Sequence, residues 1–241
     1  MITDVGIDLD GVMYDFAKVF HTYAQDRMNK TLSVPMTWDF YKEWGMDDSQ
    51  FEVFLEDAVK SLRIFDYDNP MPYTREGWDL LKSSGIKIHV LTHRKPSAYE
   101  QTSRWLYRHG LVPDSLHFGT NKAILKQLAK DEAASIDDYP LYYDQYTNAG
   151  ILSFLRTQPW NEERLARRVD NLLDFAKAVN VINESREFLT TKNTKSVQKP
   201  IEYMKITNLS NSSQLSDTRP MYPHTNDRTI LKYTQRNISG K

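Results

Sequence analysis

The sequence predicts an α/β fold, a parallel sheet packed by helices and interrupted early by a small helical cap, with a polar tail at its end. Three observations predict it. A short apolar run, Ile2, Val5, Ile7 and Leu9, leads into Gly11 and reads as a buried strand that carries Asp8 and Asp10 to its C-terminal end. From Ile86 onward, short strands and amphipathic helices alternate as in βαβ units. Between these two regions the chain is too long for one crossover, which needs only about 30 residues. The excess, Met13 to Asp68, reads as a cap inserted after the first strand, above the sheet edge, where it would select substrate and exclude water.

Phe16, Val19, Phe20 and Tyr23 have helical spacing, so Phe16 to Lys30 reads as an amphipathic helix that breaks down near Pro35. An aromatic patch follows, Trp38, Phe40, Tyr41 and Trp44, closed by Gly45. The cleanest helix starts at Ser49, where Ser49-x-x-Glu52 matches a capping box, and carries Phe51, Phe54, Leu55, Ala58, Val59 and Leu62 on one face. Pro70 and Pro72 mark a linker, and a helix from Thr74 to Ser84 stops at Gly85. Asp66-Tyr67-Asp68 repeats the Asp-x-Asp spacing without a strand before it and reads as a solvated loop.

Ile86 to Leu91 alternates as a strand and delivers Thr92. Helices are expected at Ser97 to His109 and Asn121 to Lys130, with a strand at Ser115 to Phe118 between them. Ala133 to Ile136 brings the acidic pair Asp137-Asp138 to a further strand end. A short helix to Ala149, the strand Ile151 to Leu155, the loop Gln158-Pro159-Trp160-Asn161 and a last helix with Leu165, Val169, Leu172, Leu173 and Ala176 complete the domain at about residue 186. Residues 187–241 turn to Ser, Thr, Asn and Lys, a composition that buries too little apolar surface to offset ordering entropy, so a flexible tail is expected. The tail is mildly basic, and a plain solvated tail is favoured over a weak contact with nucleic acid.

Composition narrows the function classes. With 40% hydrophobic and 26% charged residues the chain can bury a real core, and a net charge of −1 gives no global attraction to nucleic acid or anionic membrane. The absence of cysteine removes disulfides, thiolate-bound zinc and a thiol nucleophile. No apolar run is long enough to span a bilayer and no basic segment precedes an apolar one at the N-terminus, so the expectation is a cytoplasmic protein without a membrane partner. His89 and His93 are four apart, roughly 13 Å along a strand at about 3.3 Å per residue, too far to share an ion.

The set Asp8-Leu9-Asp10-Gly11-Val12, Thr92 at a strand end, Lys122 opening a helix, and Asp137-Asp138 resembles, in order, the four motifs of the haloacid dehalogenase superfamily. The aromatic patch and Gln158-Pro159-Trp160-Asn161 make it look most like the 5′-nucleotidase and 5′(3′)-deoxyribonucleotidase group with a small helical cap. The resemblance covers Met1 to about Val179. It implies a Rossmann-like core and a Mg²⁺-dependent phosphatase acting on a small phosphorylated substrate, a nucleotide. In that role Asp8 is the nucleophile and Asp10 the proton carrier. Thr92 and Lys122 hold the phosphoryl oxygens. Asp8, Asp137 and the Asp10 carbonyl bind the metal, with Asp138 holding a coordinated water, and an oxygen-rich set suits a hard cation.

Each residue has a plainer reading beside this one. Thr92 also fits a turn cap, Lys122 an exposed helix lysine, and Asp137-Asp138 a turn before Pro140. Arg94 either reaches substrate or lies at the surface. Trp38, Phe40, Tyr41 and Trp44 either stack on a base or form the cap's own core. A polynucleotide 3′-phosphatase and a catalytically silent binding module of the same fold are the competing functions.

Overall fold

The computed structural model describes residues 1–119 and 121–196, with side chains to residue 191. The chain begins with strand β1 (Ile2–Ile7) and enters a helical segment made of α1 (Phe16–Met28), the one-turn α2 (Phe40–Glu43) and α3 (Asp48–Ser61). It returns through a 3₁₀ turn at Ile64–Asp66 to α4 (Thr74–Ser83), then β2 (Lys87–Thr92), α5 (Tyr99–Arg108) and β3 (Ser115–Phe118). The one-turn α6 (Leu125–Leu128), β4 (Glu132–Asp137), α7 (Pro140–Asn148), β5 (Leu152–Arg156), β6 (Arg168–Val169) and α8 (Leu172–Ser196) follow. No described helix is long and apolar enough to cross a membrane.

The six strands form one sheet in the order β3-β2-β1-β4-β5-β6, and every pairing is parallel. Strands run outward from β1 to β3 on one side and from β4 to β6 on the other, so the order reverses between β1 and β4. At such a reversal the connections leave in opposite directions and open a crevice beyond the strands' carboxyl ends. The central strands are buried along nearly their whole length, as a sheet covered on both faces requires. On one face α4 approaches α8 so closely that a Cβ on Gly77 would lie 2.5 Å from the Leu172 carbonyl carbon. A side chain there would push the two helices apart.

The cap closes over a core of its own rings. Phe20 packs against Trp44, Phe40 and Phe51 with centroids 5.2–6.3 Å apart, and Phe40 lies 4.9 Å from Trp44. Stacked and edge-on pairs of this kind each add about 0.5–1.5 kcal/mol beyond the area they bury. The Tyr14 hydroxyl donates to the Ile64 carbonyl and joins the two ends of the cap segment, and the Trp105 indole ties it to the core by donating to the Asp68 carbonyl at 2.7 Å.

Several local expectations are corrected. Helix α3 is capped by Asp47, whose carboxylate accepts from the Gln50 amide while the Gln50 side chain accepts from the Asp47 amide, so Ser49 sits inside the helix. The helix expected over Asn121 to Lys130 is a 3₁₀ turn at Lys122–Ile124 followed by α6. Leu165 is fully exposed and Val169 lies in β6, so the last helix begins only at Leu172. It then continues to Ser196, past the expected start of the tail at residue 187, whose remainder lies outside the described residues. Asp66 is buried rather than solvated, because Arg63, Arg104 and Arg108 converge on its carboxylate.

Candidate active site

The backbone of the sheet assembles the acidic residues. Ile7 pairs with Ile136 in register, so the next residues, Asp8 and Asp137, emerge side by side at the reversal point, with the Asp8 amide donating to the Ile136 carbonyl at 3.1 Å. Carboxylate oxygens of Asp8, Asp137 and Asp138 lie within 4.8 Å of one another, and all three residues are buried. Lys122 reaches in from its 3₁₀ turn to Asp8 Oδ1 at 2.5 Å and Asp137 Oδ2 at 3.2 Å, and also donates to the Leu91 carbonyl. Its ammonium lies 4.8 Å from the ring centre of Tyr142. Lys122 is thus fully buried, not a surface helix lysine.

One ammonium cannot balance three buried carboxylates. Burial pushes the Asp8 carboxyl up to about 7 against the opposing pull of Lys122, with Asp137 and Asp10 adding to the rise. Burial likewise raises Asp137, and raises Asp138 well above the usual carboxylate range with Asp137 and Asp8 reinforcing it. Burial alone would lower Lys122, but Asp137 and Asp8 more than offset this and hold it protonated. Asp138 Oδ1 has no hydrogen-bond partner, and Asp137 Oδ2 has only the Lys122 ion pair. Buried oxygens left in this condition are costly, and an all-oxygen donor set with surplus negative charge is what a hard divalent cation needs. The residues present therefore fit Mg²⁺.

Asp10 stands apart from the three. Its two carboxylate oxygens accept from Arg94 Nε at 2.9 Å and Nη2 at 2.7 Å, a bidentate pair. Arg94 is neither at the surface nor free. Its Nη1 donates to Thr102 at 3.0 Å, and its guanidinium packs 4.2 Å from the Phe65 ring centre and 5.0 Å from that of Tyr14. Thr92 ends β2, is buried, and its hydroxyl accepts the Arg94 amide at 3.2 Å, which fixes the turn that aims Arg94 at Asp10. His89 lies in the sheet between Asp4 and Ser115, away from this turn, whereas His93 borders the cavity described below.

The loop after β5 secures the first motif from the other side. Gly11 has φ +76°, and a Cβ there would fall 1.9 Å from Asp138 Oδ2, so both backbone angle and space require glycine. The Gly11 carbonyl accepts from Arg156 Nη1 at 2.6 Å and Gln158 Nε2 at 2.7 Å. Asn161 Nδ2 donates to the Asp138 carbonyl at 2.7 Å and the Arg156 carbonyl at 2.8 Å. Arg156 was not singled out from the sequence; its place at the carboxyl end of β5, beside the Gln158 to Asn161 loop, was the available signal.

Asp8, Asp10, Gly11 and Asp138 open into a cavity of about 660 Å³ between the cap and the sheet edge. Trp38, Phe40 and Tyr41 border it, while Trp44 does not: it is buried in the cap, donating to the Ser33 carbonyl at 2.9 Å. Trp38 reaches across to the core and stacks on Tyr139, next to Asp138, with ring centres 3.9 Å apart. Tyr41 stacks on Phe51 at 4.2 Å. Thr92, Lys122 and Asp137 are buried and do not border it.

No family model and no curated protein matches the sequence. Solved structures do match the fold. A haloacid dehalogenase-like hydrolase from Streptococcus pneumoniae is 15% identical with a TM-score of 0.56, covering 74% of this chain and 98% of its own. A HAD-superfamily hydrolase of subfamily IA from Geobacter sulfurreducens is 17% identical with a TM-score of 0.54, covering 74% and 100%. A phosphonoacetaldehyde hydrolase-like protein from Oleispira antarctica is 14% identical with a TM-score of 0.53, covering 76% and 93%. The chain has the haloacid dehalogenase-like fold.

Proposed function

We propose that this protein is a Mg²⁺-dependent phosphomonoester hydrolase that works through an aspartyl-phosphate on Asp8, with a nucleoside monophosphate as its substrate. The observation that carries the reading is the buried set Asp8, Asp137, Asp138 and Lys122 at the reversal point of the sheet, opening through Asp8 and Asp138 into a cavity beside the cap. The Asp8 and Asp137 carboxylates and the Asp10 main-chain carbonyl would hold the cation, with Asp138 beside them. When bound, Mg²⁺ supplies the positive charge that lets a phosphate dianion approach these carboxylates.

The chain's own residues divide the remaining work. Asp8 attacks phosphorus as the ester oxygen leaves, and Asp10 gives that oxygen its proton. Asp10 then takes a proton from the water that hydrolyses the aspartyl-phosphate, which restores both side chains. For either transfer one arm of the Arg94 fork must open. Lys122 offsets charge on Asp8 throughout, and Thr92 sets the turn from which the phosphoryl oxygens are approached. Trp38 and Tyr41 border the cavity, each with one ring face stacked on a neighbour, and the cavity's volume falls in the range of small-molecule sites, about 300–1,000 Å³.

The test is hydrolysis of a panel of phosphomonoesters by the full chain, with Mg²⁺ or excess EDTA, by wild type and Asp8→Asn. Turnover should need Mg²⁺, include a nucleoside monophosphate, and fall by at least about a hundredfold in Asp8→Asn, since the amide keeps the shape but not the nucleophile. Full activity in EDTA refutes the metal assignment. Retained activity in the folded Asp8→Asn protein refutes the nucleophile.

A further inference from the structure

The cations bordering the cavity are all engaged. Arg94 is forked to Asp10, Lys95 pairs with Glu52, and Lys60 lies 3.8 Å from Glu56. His93 adds no charge at neutral pH, since burial and the Lys122 ammonium hold its imidazole toward the neutral form. Asp39, also at the wall, is matched by Lys42 at 2.8 Å from outside the cavity. Among the described lining residues, none offers an unpaired positive charge to a second anion.

Much of the remaining wall is apolar, and α3 contributes one stretch of it. Phe51, Leu55 and Val59 recur every four residues, so they lie along one face of the helix, and that face borders the cavity together with Phe16 and Phe65. All three are only partly buried, and Ala58 is the sole buried residue of α3. The helix thus keeps a strip of apolar surface for whatever enters. An uncharged body with a broad apolar face removes that strip from water at roughly 25 cal/mol per Å².

We infer that the substrate carries one anionic group only, the phosphoryl group itself, on an uncharged body with a broad apolar face, and that Phe51, Leu55 and Val59 select it. The inference rests on the phosphomonoesterase reading above. A nucleoside monophosphate satisfies it. Bisphosphates, nucleoside diphosphates and polynucleotide ends bring a second anion into a cavity whose other cations, Lys60 and Lys95, are already paired and whose Arg94 is committed to Asp10 at the reacting end, and like-charge juxtaposition is strongly disfavoured.

The test compares kcat/KM for phenyl phosphate with 3-carboxyphenyl phosphate, and for a nucleoside 5′-monophosphate with its 3′,5′-bisphosphate, using the full chain with Mg²⁺. The second anion should lower kcat/KM by about tenfold or more in each pair. Leu55→Lys, or Val59→Lys where the first fails a thermal-melting check, supplies a free cation and should shrink both ratios by at least about threefold. Equal rates within each pair overturn the inference while leaving the phosphatase reading intact. Unchanged ratios in the folded lysine variants overturn the assignment of selectivity to α3. If no probe is hydrolysed, the phosphatase reading fails and this inference falls with it.

Discussion

Replacing Gly11 with alanine tests the joint between the first and last acidic motifs. Two costs follow from its geometry. An L-residue held at φ +76° pays roughly 1–2 kcal/mol in backbone strain. The added Cβ would also stand 1.9 Å from Asp138 Oδ2, far inside contact distance, so something must move. The Asp138 main chain is pinned by Asn161 at 2.7 Å and the Gly11 carbonyl by Arg156 and Gln158, which leaves the Asp138 side chain to swing away. Leaving the cluster relieves some repulsion from Asp8 and Asp137, so the net loss should stay near the strain value. At about 2–4 °C per kcal/mol for a domain of this size, the metal-free midpoint should drop by roughly 2–8 °C. The larger effect should be on the Mg²⁺-induced rise in melting temperature, because one of three clustered carboxylates is displaced. In an Asp138→Ala background the clash disappears and Gly11→Ala should again cost only the strain, so the two substitutions should be nearly additive in metal-free stability, whereas the Mg²⁺-induced rise already weakened by Asp138→Ala should fall little further. An undiminished Mg²⁺-induced rise in Gly11→Ala, or an equally large further loss of that rise when Gly11→Ala is added to Asp138→Ala, refutes the reasoning.

Two further outcomes are expected. With the Asp8 carboxyl raised to about 7 in the folded, metal-free protein and near 3.8 otherwise, the folded state binds more protons between these values. That contribution to stability is complete below about 4 and is lost as pH rises through about 7; because Mg²⁺ requires the carboxylate, the Mg²⁺-induced melting rise should grow from pH 5.5 to 8. A rise that shrinks with pH, followed by differential scanning fluorimetry, contradicts Asp8 as a ligand. Asp66→Asn should destabilise by about 1–3 kcal/mol in urea unfolding, less than a fully buried pair because its arginine partners are 40–51% exposed. A loss under about 0.5 kcal/mol would mean the three arginines contribute nothing beyond solvation.

Local periodicity carried much of the architecture. The alternating run before Thr92, the apolar run before Asp8, and the glycine after Asp10 are short-range patterns, and short-range sterics and burial enforce them where they stand. The cap was legible because its length exceeded any crossover, and α3 because its apolar spacing was regular; its cap was misread because Asp47 and Ser49 both match a start signal and only backbone geometry separates them. The acidic motifs could be set in order from the sequence, yet their meeting depends on the register of β1 with β4, a pairing between residues far apart in the chain.

What tertiary structure alone decided is where each charged or aromatic side chain finds its partner. Arg94 on Asp10, three arginines on Asp66, and Lys122 beneath Asp8 are long-range pairings that no local pattern encodes. The same holds for the aromatic patch: Trp38 crosses to Tyr139 while Trp44, six residues on, turns into the cap. Residue type gave each of them the capacity to stack or to ionise. Whether water, a ring or an opposite charge answers that capacity is set by the packing of distant segments.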